Sequence, residues 1–119
     1  MSFVDRFGLW SEAQQHAARD VVAALERGTI DVVRFSFPDQ HGILRGKTLV
    51  AKEAVRALKN GVTITTTMFA KDPSHRTVFP VFTSGGGFNR PEMQGAADVL
   101  MVADPLTFKV LPWAPNTGW

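Results

Sequence analysis

The sequence predicts an α+β fold, and three observations carry that expectation: a capped amphipathic helix near the N-terminus, a switch to period-two alternation directly after it, and a length that suits one core. With 119 residues, 45% of them hydrophobic, the chain can bury one core and is too short to divide comfortably into two domains.

Ser11-Glu12-Ala13-Gln14 has the form of a capping box, in which the Ser11 hydroxyl accepts from the Gln14 amide and the Gln14 side chain reaches back to the Ser11 amide. Ala18, Val21, Val22 and Leu25 then recur at helical spacing, and Gly28 suits the left-handed position past the helix end. From Asp31 to Phe37 the period becomes two: Val33, Phe35 and Phe37 face one way, Arg34 and Ser36 the other. Pro38-Asp39-Gln40-His41-Gly42 supplies a turn, with Asp39 able to bond its own backbone and Gly42 able to take positive φ. Ile43 to Val50 returns as the second strand of a hairpin.

A helix is expected over Lys52 to Lys59, presenting Ala54, Val55 and Leu58 and stopping at Asn60-Gly61. Val62 to Thr67 is rich in β-branched residues and reads as a strand. Met68 to Gly95 contains Pro73, Pro80, Pro91 and the triplet Gly85-Gly86-Gly87, so no long regular element fits there. Val99 to Val102 reads as a central strand, and Thr107 to Leu111 as one more. The last residues, from Pro112, show no periodicity. A sheet of about four to six strands packed on a helix results, and a right-handed crossover between Thr48 and Val62 makes it a β-grasp arrangement with an additional N-terminal helix. The expected division is a helical segment over 1–29, a β-grasp domain over 30–112, and over 113–119 the start of a linker to a further domain, Trp119 being an unusual place for a chain to stop.

Composition narrows the function. There is no cysteine, which removes disulfides and thiolate metal sites and fits a cytoplasmic setting. No window holds the ~18 apolar residues of a membrane span, and no signal peptide is visible. The pI is 9.4, yet the net charge is only +2 and Arg and Lys are scattered among Asp and Glu without a basic stripe, which argues against a nucleic-acid partner.

Several motifs suggest chemistry that their context denies. Gly46-Lys47-Thr48 ends like a phosphate-binding loop, but the glycine required five positions before Gly46 is His41, and Ile43-Leu44-Arg45 alternates as a strand. Gly85-Gly86-Gly87 lacks a following helix and reads as a flexible loop tip. His16, His41 and His75 match no zinc spacing. Asp98 and Asp104 flank a strand, where Asp104-Pro105 is an ordinary turn starter. Arg45 and Lys47 share one face of the second strand, as a solvated face or as a contact for an acidic partner. No nucleophile, base and orienting group fall together, so the chain carries no complete active site of its own.

Taken in order, Val33-Arg34-Phe35, Asp39-Gln40-His41-Gly42-Ile43-Leu44-Arg45-Gly46-Lys47, Asn60-Gly61, Asp98 through Asp104-Pro105, and Leu111-Pro112-Trp113 resemble the N-terminal domain of the glutamine synthetase family. That family includes relatives joining glutamate to amines or polyamines. The likeness runs from Ile30 to Trp119 and implies a β-grasp fold. It also implies that ATP, Mg or Mn and glutamate are bound mostly by a larger C-terminal domain, so that this chain holds no cofactor and is inactive alone. Glutamate would be activated as an acyl phosphate, from which ammonia or an amine displaces phosphate. The implied partners are that catalytic domain and neighbouring subunits of a homo-oligomeric ring.

In the family, one loop of the N-terminal domain offers an aspartate and a serine to the ammonium side of the neighbouring subunit's site. Its usual form is Asp-Gly-Ser-Ser soon after an aromatic residue. Here the stretch is Met68-Phe69-Ala70-Lys71-Asp72-Pro73-Ser74-His75, and Asp72 and Ser74 are the matching positions. A carboxylate beside an incoming amine favours its cation. Asp72-Pro73 also reads simply as a turn. The altered loop leaves open an amine larger than ammonia, which makes a glutamate–amine or polyamine ligase one alternative. A stand-alone β-grasp module that binds a protein through its strand edges and its tryptophan-rich tail is the other.

Overall fold

The computed structural model describes all residues from Met1 to Trp119. The chain forms two compact units: Met1–Ser36 with Gly46–Val62 and Val102–Trp119, and Phe37–Arg45 with Thr63–Met101. The fold is α+β, of the β-grasp kind, with a mixed four-stranded sheet, a separate two-stranded sheet and helices.

The first unit begins with α1 (Phe3–Arg6), a single turn that sequence periodicity did not announce. It exists because Ser2 and Asp5 cap it reciprocally, the serine hydroxyl accepting from the Asp5 amide. α2 (Glu12–Glu26) starts at Ser11 through the expected box: the Gln14 amide donates to the Ser11 hydroxyl and the Ser11 amide to Gln14 Oε1. Its buried positions are Ala18, Val21 and Leu25, one face at helical spacing. The Trp10 indole donates to the Ala103 carbonyl at 3.0 Å and the Gln14 amide group to Asp104 at 3.0 Å. α2 is thereby fixed to the 3-10 turn over Pro105–Thr107.

β1 (Val32–Pro38) and β2 (Leu44–Val50) are neighbours in the sheet, joined by a connection far too short for a parallel crossover, so they form the expected antiparallel hairpin. Val33 and Phe35 are buried while Arg34 and Ser36 are exposed, which is the alternation read from the sequence. Gly46 lies on β2, inside a strand and not in a phosphate loop. A Cβ there would stand 2.8 Å from the Phe35 carbonyl carbon, so glycine is what allows the two backbones to approach. α3 (Ala51–Asn60) follows, burying Ala54, Ala57 and Leu58, and the Phe3 amide donates to the side chain of Asn60.

The C-terminal segment departs from expectation. Residues read as the start of a linker instead form β6 (Ala114–Gly118), which lies between β1 and β5 (Val110–Leu111) in the order β2-β1-β6-β5. β6 runs parallel to β1, with Val32 opposite Thr117 and Val33 opposite Gly118, and antiparallel to β5. Its Ala-Pro-Asn-Thr-Gly sequence has no apolar alternation, because Thr117 and Gly118, the two buried positions, are a polar and a minimal side chain. Two reciprocal hydrogen bonds of 2.8 Å between Lys109 and Trp119, and a bond from the Trp119 indole to the Ser36 hydroxyl, hold the end. The strand expected over Thr107–Leu111 is shorter, since Thr107 belongs to the turn that Asp104 caps.

In the second unit β3 (Val62–Thr65) pairs with β4 (Asp98–Met101) as a separate two-stranded sheet, so the strand after α3 does not rejoin the main sheet. Thr66–Ala70 continues as a 3-10 helix where a longer strand was expected, started by the Thr65 hydroxyl on the Thr67 amide. The stretch from Met68 to Gly95 has no long regular element. Its buried residues include Ala70 and Val81. The glycine triplet is not a loose tip: Gly86 is buried, and a Cβ on it would meet the Pro80 and Thr83 carbonyl oxygens at 2.7 and 2.9 Å.

Candidate functional site

Asp72 and Ser74 lie on one tight turn of the second unit. The His75 amide donates to the Asp72 carbonyl at 2.9 Å, closing Asp72-Pro73-Ser74-His75, and the Asp72 and Arg76 backbones are joined at 2.9 Å. Lys71 and Thr77 flank it as an antiparallel bridge. Proline at the second position presets the turn. His75 takes φ 65°, a left-handed conformation that is uncommon outside glycine. Asp72 is half-buried: Oδ1 accepts from the Arg76 amide at 2.9 Å, which leaves Oδ2 for another donor, and Ser74 is exposed at the corner. One carboxylate oxygen of Asp72 therefore builds the turn and the other is spare.

What holds this turn was not read from the sequence as a site. The Asp39–Ile43 connection of the β1–β2 hairpin belongs to the same unit. Asp39 Oδ1 accepts from the amides of His41 at 2.8 Å and Ile43 at 3.0 Å, and Gly42, at φ 75°, donates its amide to the Asp39 carbonyl. Asp39 Oδ2 accepts from Arg45 Nε at 3.0 Å, the aspartate side chain being 2% exposed and the arginine 15%. Burial pushes the Asp39 carboxyl up; the Ile43 amide, the Arg45 side chain and the His41 amide outweigh it and hold the group below the usual carboxylate range. Arg45 is thus no part of a solvated face, though Lys47 is exposed.

From this connection three side chains reach the Asp72 segment. The Gln40 amide group donates to the carbonyls of Phe69 and Lys71 at 3.1 and 3.2 Å, and His41 Nε2 donates to the Lys71 carbonyl at 3.1 Å. Arg45 NH1 donates to His75 Nδ1 at 3.0 Å. Since a guanidinium only donates, this contact requires Nδ1 of the imidazole as its acceptor. Phe37 and Phe69 add an aromatic contact with centroids 6.2 Å apart. The signal in the sequence was the run Asp39-Gln40-His41-Gly42-Ile43-Leu44-Arg45, whose polar members all turn out to be structural donors or acceptors.

The other candidates separate. His16 is an exposed helical residue beside Asp20. Asp98 opens β4 at the surface, and the Asp104 carboxylate is occupied by the Leu106 amide and Gln14. No group of three or more acidic or histidine side chains is placed to hold a metal ion. No helix is long and apolar enough to cross a membrane.

No family model matches the chain. Among curated proteins, the γ-glutamylanilide synthase of an Acinetobacter species is 39% identical over 122 aligned residues, covering 100% of this chain and 24% of that protein. The glutamine synthetase of Methanosarcina mazei is 33% identical over 83% of the chain. The chain belongs to the glutamine synthetase family. It corresponds to the N-terminal part of these relatives and spans only about a quarter of the first and 18% of the second. The γ-glutamylethanolamide synthetase GlnA4 of Streptomyces coelicolor is 32% identical over 81% of the chain. The solved GmaS/ADP complex shares the fold, with a TM-score of 0.56 and 23% identity over 83% of this chain and 19% of that one.

Proposed function

We propose that this chain is the N-terminal domain of an ATP-dependent ligase that joins an amine to the side-chain carboxylate of glutamate, and that its Asp72 turn serves the amine side of a neighbouring subunit's site. The carrying observation is the 39% match along the whole chain to a γ-glutamylanilide synthase, against 33% over 83% to a glutamine synthetase. The loop agrees with it: the Asp-Gly-Ser-Ser form associated with ammonium is replaced by Asp72-Pro73-Ser74-His75.

In this reading glutamate is phosphorylated to an acyl phosphate, the amine nitrogen attacks the carbonyl carbon, phosphate leaves and the nitrogen sheds its extra proton. ATP and Mg or Mn belong to the catalytic domain, and the ADP named with GmaS is consistent with nucleotide use. The contribution of this chain is positional and electrostatic. Asp72 Oδ2 offers a negative charge to an alkylammonium or arylamine, while Ser74, at the turn's corner, offers a hydroxyl. A homo-oligomeric ring in the cytoplasm, each N-terminal domain meeting the next subunit's catalytic domain, completes the reading.

The test is phosphate release by the full-length protein with ATP and glutamate, comparing ammonia, ethanolamine, a polyamine and aniline. The expected result is a higher kcat/KM with one of the larger amines than with ammonia. Ammonia as the best substrate would replace the amine ligase with a glutamine synthetase, and no turnover with any of the four would favour a protein-binding module.

A further inference from the structure

The hydrogen bonds that bracket Asp72 run back to one place. On its N-terminal side Gln40 and His41 hold the Phe69 and Lys71 carbonyls, and on its C-terminal side Arg45 holds the imidazole of His75. Arg45 is in turn fixed by Asp39, whose carboxylate is buried and also carries two backbone amides. An ion pair serving stability alone would end at Asp39. Here a second guanidinium nitrogen is spent on a surface turn, on the side chain of the residue whose left-handed backbone closes that turn.

We infer that Arg45 is a positioning residue for the amine side of the reaction: it sets the direction of the Asp72 carboxylate through His75 and does not touch substrate. This rests on the assignment of Asp72 given above. The chemistry favours arginine specifically. Its planar fork presents Nε to Asp39 and NH1 to His75 at the same time, 3.0 Å each, whereas a lysine ammonium is a single point that satisfies the buried carboxylate and leaves the histidine unheld. His75 Nδ1 has to be the bare, accepting nitrogen for the contact to exist. Displacements of an ångström in a group aligned with a reacting atom change rates by about a hundredfold, so a loose turn is enough to weaken amine use without any loss of fold.

The experiment uses the full-length enzyme and four variants: Arg45→Lys, His75→Ala, the two together, and Asp72→Ala. Arg45→Lys keeps a cation beside Asp39, and His75→Ala alters an exposed side chain, so at least one variant retains the fold. With glutamate and ATP saturating, each single change is expected to raise the amine KM about tenfold, with the glutamate and ATP KM values within about twofold of the parent. The double variant is expected to show about the same tenfold rise, not a hundredfold one, because both changes break one contact. Multiplied effects in the double variant, equal rises in all three KM values, or no change in amine KM would each overturn the positioning role. Asp72→Ala separates the two levels. If it raises the amine KM while Arg45→Lys does not, the amine-side loop stands and the inference about Arg45 falls; if neither does, both fall.

Discussion

The Asp39 carboxylate shows how much one residue of a turn can govern. Its Oδ1 takes two amides and its Oδ2 takes Arg45, in a pocket where the side chain is almost inaccessible. Asp39→Asn keeps a carbonyl oxygen for the amides but lacks the charge that holds the guanidinium. Asp39→Ala loses every acceptor, leaving donors unpaired. The expected order of thermal midpoints is therefore parent, then Asp39→Asn, then Asp39→Ala. Acid should act on the same group. Because its native pKa is lowered, the stability it contributes is complete above the unfolded carboxylate value of about 3.9 and is lost as pH falls through the lower native one. Midpoints measured from pH 6 to pH 2 should fall more steeply for the parent than for Asp39→Asn below about pH 4. Asp5, held low chiefly by the Ser2 hydroxyl against the opposing effect of burial, remains in both proteins and shifts both curves alike.

At the scale of elements, β6 is the informative case. It occupies an interior position of the sheet, with β1 on one side and β5 on the other, and its residues carry little of the apolar alternation by which strands are read. Removing Trp113–Trp119 should abolish cooperative unfolding of the first unit, because β1 and β5 both lose their partner; a sigmoidal urea transition retained by the shortened chain would contradict this. Gly46→Val should cost about 1–3 kcal/mol in the same assay, the overpacking cost where a side chain meets neighbouring backbone. These two positions also mark what the sequence discloses. α2, β1 and α3 were legible because their burial follows from side-chain periodicity and from Ser11, Gln14 and Gly61, and β2 because the turn at Asp39 to Gly42 announces a returning strand. The place of β6 depends on backbone pairing with Val32 and Val33, 85 residues earlier, which no local pattern records. The Asp72 turn was visible as Asp-Pro, whereas the hold exerted on it by Gln40, His41 and Arg45 depends on contacts about thirty residues apart. The separation of β3 from the main sheet was equally invisible, since β-branched residues specify a strand and not its neighbour.

For the whole molecule, the proposed ligase reading entails a division of labour between this chain and a catalytic domain. The chain spans about a quarter of the γ-glutamylanilide synthase it matches. Within that span it presents a carboxylate and a hydroxyl on a braced turn, and no group of three or more acidic or histidine side chains placed to hold a metal ion that would neutralise a nucleotide's phosphates. Phosphoryl transfer to a carboxylate needs such neutralisation, because the entering carboxylate and the γ-phosphate are both anionic. In the proposed reading, a turn that steers an amine does not substitute for it. The purified 119-residue chain should accordingly release no phosphate from ATP in the presence of glutamate and any amine. A full-length protein carrying Asp72→Ala should retain glutamate and ATP KM values near those of the parent while its amine KM rises. Phosphate release by the isolated chain that depends on both glutamate and amine would refute the division, since it would require a nucleotide site within these residues.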